Sequence, residues 1–308
     1  MGIKTLALGL FSSLLTLATN NPASFSVDNQ IIYQNLLASQ KQSYLWNAIV
    51  VSKYQQLPDT RTGLGIPLIF NSITSFLTLK TSFDHASDIM PEGRKKIIHT
   101  YGTVAPVRWI PARNSYSGIF QTGGFGLARL SIAGDPNLLG IIPGMALKIF
   151  VDGQPSVNLH VMHSLDGQGK NNNFFANSFT NNIPMPTNPL LYPLIALFAI
   201  VQNPPTYLPL DHFAKVDRFG KPLTPWRAPL TLIFKPSSSV SAIFPATSTL
   251  DFRTQLAQLR PGIFIYDIYA TGSQPSQRNA ELIGKLVLDG SFVASDFGDE
   301  KLFFQHHK

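Results

Sequence analysis

Between Lys95 and His163 the chain breaks into five short segments: Lys95 to Val107, Gly118 to Thr122, Gly126 to Ala133, Gly144 to Val151 and Val157 to His163. Each is apolar or rich in β-branched residues, and Gly, Pro, Asp or Asn separates it from the next. Short strands at near-regular spacing predict a meander or a barrel wall. Asp152-Gly153 is a strong turn signal, so the last two segments should form a hairpin. Strand signals resume near the end, where Gly262 to Thr271 alternates and Ile283 to Leu288 runs into an Asp289-Gly290 turn.

A chain of 308 residues is long enough to bury a substantial core, and one large β unit of this size is normal. Charged residues make up only 13%, against 22 phenylalanines, 22 glycines and 23 prolines, which fits an ordered chain of strands and loops. The net charge of +7 does not indicate nucleic acid, because GRKK (Gly93 to Lys96) is the only dense basic cluster. Without cysteine the chain has no disulfide framework and no thiolate ligand.

Lys4, the apolar run Leu6 to Leu17 and the small residues around Ala18 read as a signal peptide over residues 1–18, which predicts export to the periplasm or medium. Residues 19–89 are expected to form a helical arm and lead-in, because Ile31, Ile32, Leu36, Leu37, Leu45 and Ile49 recur at roughly helical spacing. Residues 90–308 then form the β-barrel domain. Residues 188–250 read as an irregular insertion containing an apolar segment, Leu190 to Val201, and a proline-rich stretch, Asn203 to Pro245. The apolar segment is far too short to span a bilayer and predicts a buried helix or lid, so membrane contact is not expected. The fold class is α+β, with an antiparallel barrel at its centre. An oligomer is compatible with all of this.

Chemistry concentrates in two neighbouring segments. Arg129 and Ser131 are two apart in a strand and so share a face, where both could look into one pocket with His99 presented from the neighbouring strand. The arrangement suggests a polar group inside a barrel wall. His160 and His163, three apart on one strand, face opposite sides and do not suggest a metal site. No phosphate loop or nucleophile elbow occurs.

The succession of His99, FGLARLSIAG (Phe125 to Gly134), PGMALKIFVDG (Pro143 to Gly153) and Phe174-Phe175 resembles the haem-pocket half of the haem-dependent catalase superfamily, which includes catalase-related allene oxide synthases. Arg260 to Thr271 and AELIGKLVLDGSFVASDFGDEKLFF (Ala280 to Phe304) are similar to its last barrel strands. The likeness covers roughly Met90 to Phe175 and Pro261 to Phe304.

It implies a catalase-like barrel, haem as cofactor, and hydrogen peroxide or a lipid hydroperoxide as substrate. His99 matches the distal histidine, Ser131 the serine that orients its ring, and Arg129 the arginine that meets a haem propionate. Ile98, Phe174 and Phe175 match positions lining the cofactor. A distal imidazole can take a proton from one peroxide oxygen and return it to the other, while a guanidinium can clamp a carboxylate bidentately.

Two departures stand out. The family's distal asparagine position falls near Met162, leaving Asn158 or Asn171 to Asn173 to compensate. The family's proximal ligand is a tyrosine preceded by an arginine one helical turn earlier, and no Arg-x-x-x-Tyr occurs in the sequence. Haem relies on such an axial ligand for anchoring and tuning. His306 and His307 lie near where the proximal side would be approached, but read first as a frayed polar terminus. Three readings follow: a haem-dependent peroxide enzyme with a non-standard proximal ligand, a haem-free barrel binding an apolar or lipid-like molecule, or an exported structural protein.

Overall fold

The computed structural model describes residues 32–59, 88–90, 96, 99–112, 118–133, 142–163, 174–175, 179–180, 231–241, 243, 251–271 and 280–304. A helix, α1 (Ala38–Val51), precedes eight strands: β1 (Gly102–Pro111), β2 (Gly124–Ala133), β3 (Ile142–Val151), β4 (Gln154–His163), β5 (Phe179–Thr180), β6 (Thr231–Pro236), β7 (Phe264–Thr271) and β8 (Glu281–Leu288). Each strand pairs antiparallel with the next, and β1 pairs with β8 from Val107↔Leu288 to Pro111↔Gly284, so the sheet closes into a barrel.

Alternation along the strands sorts the side chains between two faces. Ala105, Val107 and Trp109 of β1, Ala128 and Leu130 of β2, and Leu147 and Ile149 of β3 join apolar residues of β4, β6, β7 and β8 in one buried cluster, which fills the barrel. Trp109 and Tyr266 both meet Phe234 edge-on, with centroids 6.3 Å apart in each case. The lumen is therefore a packed core, as expected of a barrel this narrow.

The intervening residues point outward and are covered as well. Val104, Leu127 and Phe150 pack with Leu45 and Ile49 of α1 and with Phe297, Leu302 and Phe304 of the C-terminal segment. The expected N-terminal helix thus exists and lies against the first three strands. Gln42 of α1 donates to the carbonyls of Val107 (3.1 Å) and Gly126 (2.7 Å), and Lys41 to that of Val151 (2.9 Å). The Asp152-Gly153 turn forms the expected β3–β4 hairpin and reaches the start of α1, where Asp152 Oδ1 accepts from the Ala38 amide at 2.7 Å. A carboxylate at a helix N-terminus satisfies a free N–H and opposes the helix dipole favourably.

After β8 the chain returns along the outer wall. Val293 and Val104 exchange backbone hydrogen bonds of 2.8 and 2.9 Å, a π-helical turn spans Phe297–Lys301, and residues 301–303 pair with 88–90 through Ile89↔Leu302.

Three local expectations are corrected. Gly118 to Thr122 is no strand: Ile119–Thr122 makes one helical turn between Gly118 and Gly123, both at positive φ, and buries Phe120 5.5 Å from Trp109. The stretch Asn203 to Pro245 contains regular structure, β6 and a helical turn at Ser238–Ser241, because Leu232 and Phe234 are needed to fill the barrel. His99 does not lie in a strand, since β1 begins only at Gly102. The leader at residues 1–18, Leu190 to Val201 and the C-terminal histidines lie outside the described residues.

Gln42 satisfies two carbonyls beneath the helix, so Gln42→Leu should lower stability by about 1–3 kcal/mol through unpaired buried acceptors. Urea unfolding followed by circular dichroism would measure it, and an unchanged midpoint would contradict this role.

Candidate functional site on the outer barrel wall

Cross-strand register creates a hollow in the outer wall. Ser131 of β2 is paired with Gly102 of β1 on one side and with Gly144 of β3 on the other. Directly paired residues share a face, so a buried serine stands between two positions that lack side chains. The His99 ring settles over one of them: a Cβ on Gly144 would lie 2.7 Å from its Cε1. The sequence expectation that His99, Arg129 and Ser131 come together is met in space. They gather on the outer face of the wall, however, because the inner face is taken by Ala128, Leu130 and their neighbours.

His99 has φ +58, the one positive value at a non-glycine among the described residues. That left-handed conformation costs about 1–2 kcal/mol. The surrounding structure supplies a compensation: Arg129 Nη1 donates to the His99 carbonyl (2.8 Å) and Nη2 to that of Thr100 (2.9 Å). Nη2 also pairs with Asp299 Oδ1 at 2.7 Å, with both side chains almost wholly buried. The same carboxylate oxygen accepts from the Gly102 amide (2.9 Å), and Oδ2 from the Tyr54 hydroxyl (3.3 Å). Lys96 donates to the Gly298 and Asp299 carbonyls.

Electrostatics keep the histidine neutral. Both ring nitrogens are buried, and no side chain among the described residues hydrogen-bonds them. Burial, and then the Arg129 guanidinium, push its pKa down to about 4 against the opposing pull of the Ser131 backbone. Burial likewise lowers Lys96, with Arg129 adding to the effect. A neutral imidazole keeps one nitrogen able to accept a proton.

Several expected roles are altered. Ser131 meets the His99 ring through its backbone, and its hydroxyl makes no hydrogen bond to the ring among the described residues. Arg129 is not free to clamp a carboxylate from outside, because its fork is committed to Asp299 and two backbone carbonyls; only Nε lacks a partner. Phe174 and Phe175 belong to the lumen cluster, where Phe174 packs on Phe252 and Phe175 on Tyr266, with centroids 5.4 and 5.5 Å apart. They stand on the other side of the wall from His99. Ile98 and Asn171 to Asn173 lie outside the described residues, as do the side chains of His160, Met162 and His163. No cluster of three metal-ligating side chains occurs among the described residues.

A second polar cluster went unread in the sequence. Lys148 of β3 is fully buried, paired with Asp88, and donates to Asn158 Oδ1 (2.7 Å) and Ser156 Oγ (3.1 Å) of β4. Asp88 also accepts from the Tyr33 hydroxyl at 2.9 Å. Burial lowers the Lys148 pKa, against the opposing pull of Asp88. Asn158 is therefore engaged with a lysine rather than standing in for a distal asparagine. The available signal was the alternation itself, which puts Lys148, Ser156 and Asn158 on one face, but a lysine in a strand ordinarily faces water.

Comparison with family models, with curated proteins and with solved structures finds no match for this chain.

Two outcomes follow from these charges. His99 has a folded pKa near 4 against about 6.5 unfolded, so the unfolded chain binds the proton first. Stability should be full above pH 6.5 and fall by about 3 kcal/mol as pH drops to 4. Unfolding curves of His99→Gln across that range should lack this component. Lys148→Met should cost about 3–5 kcal/mol by stranding Asp88, and adding Asp88→Asn should recover part of the loss in the same denaturation experiment.

Proposed function

We propose that this protein is a catalase-related haem protein that acts on hydrogen peroxide or an organic hydroperoxide, with His99 as its acid–base group. One observation carries the reading: a neutral, buried imidazole on a left-handed backbone, held in a glycine hollow beside Ser131. A histidine with only a packing role needs neither a strained backbone nor a seat cleared of side chains.

The residues fit the distal side of such a cofactor and do not fit its anchoring. Haem, when bound, supplies the redox chemistry. His99 would accept a proton from the hydroperoxide and return it to the departing oxygen, and its low pKa keeps it in the accepting form at neutral pH. Propionate anchoring falls outside what Arg129 can provide, so other residues must supply it together with the proximal ligand. The exported location read from residues 1–18 belongs to the same proposal.

The engagement of Arg129 by Asp299 favours a second reading, a haem-free barrel that takes an apolar, lipid-like small molecule on the same wall.

Haemin titration of the full-length chain, with oxygen release from hydrogen peroxide and loss of an organic hydroperoxide measured in parallel, separates the two. The first reading expects a saturable Soret band and peroxide consumption that falls at least about 100-fold in His99→Ala. Free-haemin absorption at stoichiometric haemin would sink it, and retention of a fluorescent fatty acid in that case would support the second.

A further inference from the structure

We infer that Asp299 is a positioning residue for His99, acting through Arg129 to fix the left-handed turn that lays the imidazole over Gly144; the catalytic value of this rests on the acid–base role proposed for His99. Four consecutive residues, 99–102, form the turn into β1, and Asp299 reaches both of its ends. At one end its Oδ1 aligns the Arg129 fork, which takes the carbonyls of His99 and Thr100. At the other the same oxygen takes the Gly102 amide at 2.9 Å.

A guanidinium can hold two carbonyls in a fixed plane only if its own orientation is fixed, and a buried carboxylate does that through direction and charge. Asp299 is itself immobilised. Its amide bonds to the Ser295 carbonyl at 3.1 Å within the π-helical turn, and Tyr54, just beyond α1, donates to Oδ2. The charged group that acts on the imidazole is Arg129 on β2, and around Arg129 lie Lys96, ahead of β1, and Asp299, with Glu300 also acting on Lys96. Without the carboxylate, two cations would share one buried space, and Arg129 would turn away from the carbonyls toward water.

The test uses charge-conserving variants, so that geometry rather than net charge is read. The full-length chain, without added haemin, is labelled at histidine, and the His99 ring resonance is identified by its loss in His99→Gln and titrated by NMR. Asp299→Glu displaces the carboxylate by one methylene, and Arg129→Lys keeps the cation but loses the planar fork. Asp88→Asn breaks the other buried ion pair and controls for general destabilisation. Wild type and Asp88→Asn should share a low midpoint, while Asp299→Glu and Arg129→Lys should move it a unit or more toward the solvent value of about 6.5. If Asp299→Glu does not fold, Arg129→Lys decides alone.

An unmoved midpoint in the folded variants, or an equal shift in Asp88→Asn, overturns the inference. With haemin and hydrogen peroxide, the same two variants should lose about 100-fold in turnover with the Soret band retained. A wild type inert to peroxide, with the NMR shift present, fails the acid–base reading and leaves the positioning role standing.

Discussion

Pairing of β1 with β8 closes the sheet, and this closure decides where every other group can go. In a barrel of eight strands the lumen has room for side chains or for one small ligand. Trp109, Phe234 and Tyr266, with the aliphatic residues around them, occupy it here. Polar residues that alternate with that apolar set are forced to the outer wall. Left in water they would be unremarkable. Because α1 and the segment 293–304 lie across the wall, Arg129, Lys148, Ser131 and Asn158 become buried polar groups that must find partners.

The partners come from far away in sequence. Asp299 answers Arg129 and Asp88 answers Lys148, each from a segment that the barrel does not itself contain. Buried ion pairs of this kind contribute little net stability compared with apolar packing, yet losing one member is costly. Their effect is to specify position: the first ties the C-terminal turn to the start of β1, and the second ties residue 88 to the β3–β4 hairpin. The two pairs therefore fix how the covering segments lie on the wall. His99 stands apart from these pairs: it is buried and neutral, and its backbone alone among the described non-glycine residues is left-handed. Such strain persists only where the surrounding structure over-determines it, here through Arg129 and Asp299.

The strands were legible where alternation met turn residues. β2, β3, β4, β7 and β8 could be placed to within a few residues, and Asp152-Gly153 announced its hairpin. Periodicity likewise announced α1. Gly118 to Thr122 misled because five residues are too few to show a period, and only the demand for a lid over Trp109 makes them a helical turn. β6 was hidden by prolines on both sides, since Pro236 and Pro229 signal loop although the strand between them supplies Leu232 and Phe234 to the lumen. For the site, the two-residue spacing of Arg129 and Ser131 guaranteed a common face, and a resemblance at the level of motifs brought His99 to them. Nothing local could say that this face was the outer one.

By itself the sequence determined the periods: which residues alternate, where turns interrupt them, and hence an antiparallel sheet with a helix before it. Those are properties of adjacent residues, set by backbone geometry within a few positions. The tertiary structure alone decided which face of the sheet is inside, that Lys148 is buried, and that Arg129 answers to Asp299 rather than to a ligand. Each of these depends on what a segment 60 or more residues away lays over the wall, and burial, unlike periodicity, is not a local quantity.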